Sequence, residues 1–157
     1  DADADAATPD AGANEGHFEV DGVEHRFRSE NGLVMRTPSV DAEGVTLLTI
    51  ETYTPPNSLY LKADLFVASG DDGEGEYQLG RLGDEGHRNV PGRGQVMLAI
   101  ETDPEAGRRI IPSGGGTLTL RREGDTWVGE FELTGDGMFR AEDAPPVTGG
   151  FRVRAAD

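Results

Sequence analysis

Cysteine is absent from the chain, which removes disulfides, thiolate nucleophiles and cysteine-based metal sites from its chemistry. Basic side chains are scarce. There are 14 against 30 acidic ones, for a formal net charge of −16, and Lys62 is the only lysine beside 13 arginines. A surface of that sign repels phosphate backbones and anionic lipid, so nucleic acid is not expected as a partner. No run approaches the roughly 20 apolar residues of a membrane-spanning helix, and direct insertion in a membrane by that route is not expected. Aromatic residues make up 6% of the chain, with Trp127 the only tryptophan. Helical periodicity is missing as well; only 104–109 has the composition for a single turn.

What is present is alternation and punctuation. The 157 residues include 23 glycines and 9 prolines, a length suited to one domain and a composition suited to many short strands and turns. The clearest organising stretch is 116–135, GTLTLRREGDTWVGEFELTG. Leu118 and Leu120 alternate with Thr117, Thr119 and Arg121. After a turn at Gly124 and Asp125, Trp127, Gly129, Phe131 and Leu133 alternate with Val128, Glu130, Glu132 and Thr134. A period of two puts one apolar and one charged face on the hairpin, as in a half-buried antiparallel sheet, and predicts a buried Trp127.

A second hairpin is predicted over 17–28, HFEVDGVEHRFR. Asp21 and Gly22 supply the φ > 0 pair of a two-residue turn, Phe18 falls opposite His25, and Glu19 falls opposite Glu24. Asn31 and Gly32 turn the chain again into 33–37. Further strands are expected at 45–53, 59–68, 76–80, 95–102, 108–113, 138–141 and 148–154, with 81–94 as the longest irregular segment. In 59–68 the residues Leu59, Leu61, Ala63, Leu65 and Val67 point inward, and Tyr60, Lys62, Asp64 and Phe66 outward. The expected fold is all-β: an antiparallel sandwich or flattened barrel of about nine or ten short strands.

Residues 1–16, DADADAATPDAGANEG, bury too little apolar surface to offset their ordering entropy and read as a flexible tether before a single β domain at 17–157. Such an Asp/Ala/Thr/Pro/Gly tract resembles the tethers of surface lipoproteins in GC-rich Gram-negative bacteria. The domain in turn resembles small secreted β-sandwich lipoproteins without an assigned function. The matching pieces are the opening F-x-V-D-G-V at 18–23, G-x-Y-x-L-G at 75–80, G-T-L-T-L at 116–120 and the W-x-G-x-F return at 127–131. The resemblance implies export to the periplasm, the cell surface or the medium. A lipid anchor would lie upstream of residue 1. It offers no catalytic residues to carry over.

Candidate chemistry is sparse. His17 and His25 lie on one hairpin with opposite orientation, and His87 lies in a remote loop, so they do not converge on a metal. Ser113 in a glycine run, with His87 and Asp84, is a triad by residue type alone; G-x-S-x-G is missing, and a structural glycine bend is the simpler reading. Asp71, Asp72, Glu74 and Glu76 place four carboxylates in six residues, hard oxygen ligands suited to weak calcium binding, although the twelve-residue EF-hand layout is absent. Glu130 and Glu132 are the polar half of an alternation rather than a glycosidase pair. Outward Tyr60 and Phe66, with Trp127, form the candidate aromatic platform for a sugar or another chain, core packing being the alternative.

The leading expectation is a non-enzymatic extracytoplasmic module for adhesion, assembly or envelope structure, whose partner is a protein or glycan at the cell surface. Self-assembly stays open. The alternatives are a β-sandwich or barrel binding a glycan or small ligand, and a hydrolase whose site involves 81–94. The acidity fits a solvated face, a high-salt habitat or a cation-binding surface.

Overall fold

The computed structural model describes residues 14–54, 59–81, 86–103, 107–134 and 145–154. Among the described residues eleven strands follow one another: β1 (Asn14–Val20), β2 (Val23–Ser29), β3 (Gly32–Pro38), β4 (Val45–Thr54), β5 (Leu59–Ala68), β6 (Gly75–Leu79), β7 (Arg93–Asp103), β8 (Gly107–Pro112), β9 (Gly115–Glu123), β10 (Thr126–Thr134) and β11 (Val147–Arg154). No helix occurs among the described residues. The strands make one sheet in the order β2-β1-β11-β10-β9-β6-β7-β5-β4-β3, with β8 added on β7.

The fold is therefore all-β, a flattened barrel that is nearly closed. At its open seam β3 comes near β11 and β2 near β4. Two bent connections carry the chain between the halves of the sheet. One runs from β2, paired with β1, through Asn31 into β3, paired with β4. The other runs from β8, paired with β7, through Ser113 into β9, paired with β10 and β6. The sheet is mixed rather than antiparallel throughout, because β6 meets β7 in parallel at Gln78↔Arg93 and Leu79↔Gly94.

Local sequence explains the hairpins. Asp21 and Gly22 adopt φ of 53° and 83°, and β1 pairs with β2 in the expected register, Phe18↔His25 and Glu19↔Glu24. The β9–β10 hairpin turns at Gly124, φ 66°, and Leu118, Leu120, Trp127, Phe131 and Leu133 are all buried. Strand β1 begins at Asn14, so Asn14, Glu15 and Gly16, which composition groups with the tether, pair with Ser29, Arg28 and Phe27. The buried Asn14 side chain accepts a hydrogen bond from the Arg154 backbone N–H at 2.8 Å and extends the pairing of β1 with β11. The expected strand at 138–141 and the Pro-rich link at 55–58 lie outside the described residues. Of the one-turn helix expected over 104–109, residues 107–109 are in β8 and the others lie outside the described residues.

The core is a single cluster drawn from both halves, including Phe18, Leu48, Ile50, Leu61, Leu98, Trp127 and Phe151. Glycines make room for its rings across the strands. Gly16 faces Phe27 and Phe151, Gly129 faces Phe151, and Gly149 faces Phe18 and Phe131; a Cβ at Gly149 would sit 2.7 Å from the Phe131 ring tip. Trp127 lies inside, 2% exposed, with the Arg36 and Arg122 guanidinium groups 5.8 and 5.3 Å from its ring. Beside it the Tyr77 hydroxyl donates to the Gly73 carbonyl. Burial, opposed by Arg36, pushes that phenol up to about 12 and keeps it a donor.

Candidate functional site

The outer face of β2-β1-β11-β10-β9 carries two neighbouring cross-strand rows. Register gives the first as Arg28, Glu15, Arg152, Val128 and Arg121, and the second as Arg26, His17, Gly150, Glu130 and Thr119. Between them run Gly16, Phe27, Gly129 and Phe151, whose side-chain positions alternate to the inner face. A hollow of about 600 Å³ lies over this region and is bounded by residues of all three rows. A second hollow, about 300 Å³, adjoins it and shares His17, Arg26 and Glu130.

The floor is unusual for an outer face. Val128 is only 6% exposed although it points outward, and Arg121 and Arg152 flank it in register on the two neighbouring strands. Gly150 leaves the second row without a side chain at its centre, and a Cβ there would come within 3.0 Å of the His17 ring. Guanidinium and carboxylate groups stand around this floor in pairs. Arg26 meets Glu24 at 3.1 Å and Arg28 meets Glu15 at 3.6 Å. Arg121 and Arg152 both reach Glu123, each at 3.0 Å. Burial, and then the neighbouring Arg26, lowers the His17 pKa against the opposing pull of Glu24, Glu130 and Glu15, which favours the neutral imidazole.

The arrangement offers planar donors and acceptors above an apolar patch. The lining holds four arginines and two glutamates, with Glu24 and Glu123 paired to three of those arginines, a concentration of guanidinium groups on a chain whose net charge is −16. These residues come from strands far apart in sequence. Sequence reasoning missed the cleft because each arginine reads locally as the polar half of a hairpin. The available signal was the use of 13 arginines against one lysine.

The residues singled out from sequence lie elsewhere or serve the fold. Trp127 and Phe66 are buried. Tyr60, on the outer face of β5, pairs with Tyr53 at 6.3 Å between ring centroids and donates to Glu51. Tyr60 and Phe66 are separated by six positions along β5, roughly 20 Å at strand rise, so the three aromatics do not share one platform. Phe66 instead borders a 430 Å³ hollow with Pro38, Val40 and Leu47.

In the acidic loop, Asp72 accepts the Glu74 N–H at 2.9 Å and Glu74 accepts the Arg122 N–H at 2.8 Å. Arg36 donates to the Asp71 and Asp72 carbonyls, and Glu76 pairs with Thr119 in the β6–β9 ladder. Among the described residues no group of three His, Cys, Asp or Glu is arranged to hold a metal ion.

His17 and His25 point to opposite faces, as their pairing with Arg26 and Phe18 requires. Ser113 is buried; its hydroxyl donates to Gly80 O at 2.9 Å and accepts from Val96 N at 3.1 Å. His87 Nε2 lies 2.7 Å from Gly94 O, and its ring packs against Gly80. Ser113 staples the β8–β9 corner to β7 and the end of β6, and His87 ties its own loop to the same two strands, so the hydroxyl proton is committed to Gly80 rather than to His87. Asp84 lies outside the described residues. Comparison with protein-family models, curated proteins and solved structures gives no match for this chain.

Proposed function

We propose that this domain is a non-enzymatic binding module that works outside the cytoplasm and takes a polar ligand, in the first place a glycan, in the cleft on the β2-β1-β11-β10-β9 face. The observation that carries the reading is the 600 Å³ hollow in which Arg26, Arg28, Arg121 and Arg152 stand with Glu15 and Glu130 around the covered Val128. A saccharide presents hydroxyl groups that donate and accept together, with apolar C–H faces between them. Planar guanidinium and carboxylate groups satisfy the first, and a small apolar floor without a bulky side chain suits the second. Extracytoplasmic action rests on the composition of 1–16 and the absence of cysteine.

The test is titration of the isotope-labelled protein with a panel of neutral and acidic oligosaccharides, followed by amide shifts and calorimetry. Shifts should centre on His17, Val128 and Gly150. The double variant Arg26→Ala/Arg28→Ala removes two exposed side chains of an edge strand and should bind at least ~10-fold more weakly, the scale of one lost charged hydrogen bond. Equal binding by variant and wild type, or shifts confined to another face, would overturn the reading.

A further inference from the structure

We propose that Arg121 and Arg152 form the anion subsite of this cleft and that the chain's own Glu123 occupies it, so that the ligand is one carrying an oxyanion, a carboxylate or sulfate, able to replace that side chain. The inference rests on the binding reading above and narrows its ligand.

The geometry is that of an oxyanion already bound. Arg121 and Arg152 sit on strands either side of β10 and meet across Val128. Both therefore stand on the outer face beside the same buried residue. Glu123, at the end of β9, accepts from Arg121 Nε at 3.0 Å on one carboxylate oxygen and from Arg152 Nη2 at 3.0 Å on the other. Two guanidinium groups therefore close on one carboxylate, one on each oxygen, an arrangement of charged donors that a sulfate can also meet.

The occupant is displaceable. The Glu123 side chain is 43% exposed beside two half-exposed arginines, and ion pairs of this kind contribute little net stability in water. The turn at Gly124 and Asp125 follows immediately, and Asp125 is bound separately to Arg154 at 2.9 Å. Glu123 can therefore swing aside without loosening the hairpin. An incoming oxyanion exchanges one carboxylate for another on the same donors while the rest of its molecule settles on Val128 and the glycine floor. A neutral ligand gains nothing from the exchange.

Calorimetric titration with glucuronate, inorganic sulfate and glucose, on wild type, Glu123→Gln and Arg152→Ala, tests this. Glu123→Gln should bind glucuronate about 10-fold more tightly than wild type, the effect of removing a charged competitor, with glucose unchanged. Arg152→Ala should lose the preference for glucuronate over glucose. Side-chain Nε resonances of Arg121 and Arg152 should move on addition of the acid, which a merely structural pair would not do.

Inorganic sulfate separates two sources of the same chemistry. If it competes as well as glucuronate, the clamp takes a free oxyanion; if it competes only weakly, the saccharide body contributes, and either result supports the clamp. Equal glucuronate affinity for wild type and Glu123→Gln, or equal affinity for glucose and glucuronate, overturns the inference. Binding that still depends on Arg26 and Arg28 would in that case leave the cleft reading standing. Absence of any titration in wild type and Glu123→Gln alike would remove both.

Discussion

Trp127 is the residue through which the sequence pattern and the structure agree most directly, and it also limits what that pattern conveys. Its position in a period-two hairpin places it inside, and it is 2% exposed. The structure adds that its ring lies against Arg122, its partner across the hairpin, and against Arg36 from β3, a contact that no local rule supplies. Trp127→Ala should cost about 3–5 kcal/mol in denaturant unfolding, because an aromatic removed from a closed sheet leaves a cavity the backbone cannot collapse into; a loss under 1 kcal/mol would mean the ring contributes little to the core. The same alternation misplaces Val128, which it sends to solvent. The residue does point outward, but it is buried between Arg121 and Arg152 in register. That placement depends on β11 lying beside β10, which is a long-range fact. Gly116 shows a third limit. At φ 110° a Cβ would run into the Glu132 carbonyl, so glycine is required there, although in the sequence it is one of three in a row.

At the scale of elements, legibility follows the distance between partners. Hairpins β1–β2 and β9–β10 announce themselves through Asp21–Gly22 and Gly124–Asp125, because both arms and the turn lie within one short window. Pairing of β1 with β11 joins residues more than a hundred positions apart, and nothing local encodes it. The arginine cleft is built across that very junction. The start of β1 at Asn14 was hidden for a related reason: Asn, Glu and Gly look like tether until Ser29, Arg28 and Phe27 are placed beside them. This boundary is open to measurement. A chain beginning at residue 14 and one beginning at residue 17 differ by three residues that include the Asn14–Arg154 hydrogen bond. The shorter chain leaves the Arg154 N–H without that partner and exposes the Phe27 ring. It should lose about 1–3 kcal/mol, and a domain of this size shifts by roughly 2–4 °C for each kcal/mol. Equal melting temperatures for the two chains would show that pairing at the start of β1 contributes nothing.

For the whole molecule the dominant electrostatic fact is the net charge of −16, and two opposing effects compete over what salt does to it. Salt weakens ion pairs and it screens repulsion among like charges. The pairs around the cleft are exposed, with side-chain exposures between 38% and 69%, so their loss costs little. Repulsion among the unmatched carboxylates acts across the entire surface of the folded chain and relaxes on unfolding. Repulsion should therefore win, and the melting temperature at pH 7 should rise by several degrees between low salt and 0.5 M sodium chloride. The effect should fade near the isoelectric pH of about 4.4, where there is no net charge to screen. Over the same descent the carboxyls of Glu123 and Asp125, held below their ordinary values chiefly by Arg152 and Arg154, contribute in the opposite sense. A depressed carboxyl stabilises the fold above its unfolded value, and that contribution is lost as the pH falls through the folded one. Both groups are exposed, so this loss is small beside the relief of repulsion. Calcium chloride at matched ionic strength distinguishes screening from a specific site: equal stabilisation marks screening alone, whereas an excess that Asp71→Asn/Asp72→Asn abolishes marks calcium at the acidic loop. A melting temperature that falls with sodium chloride at pH 7 would mean that the ion pairs outweigh the repulsion.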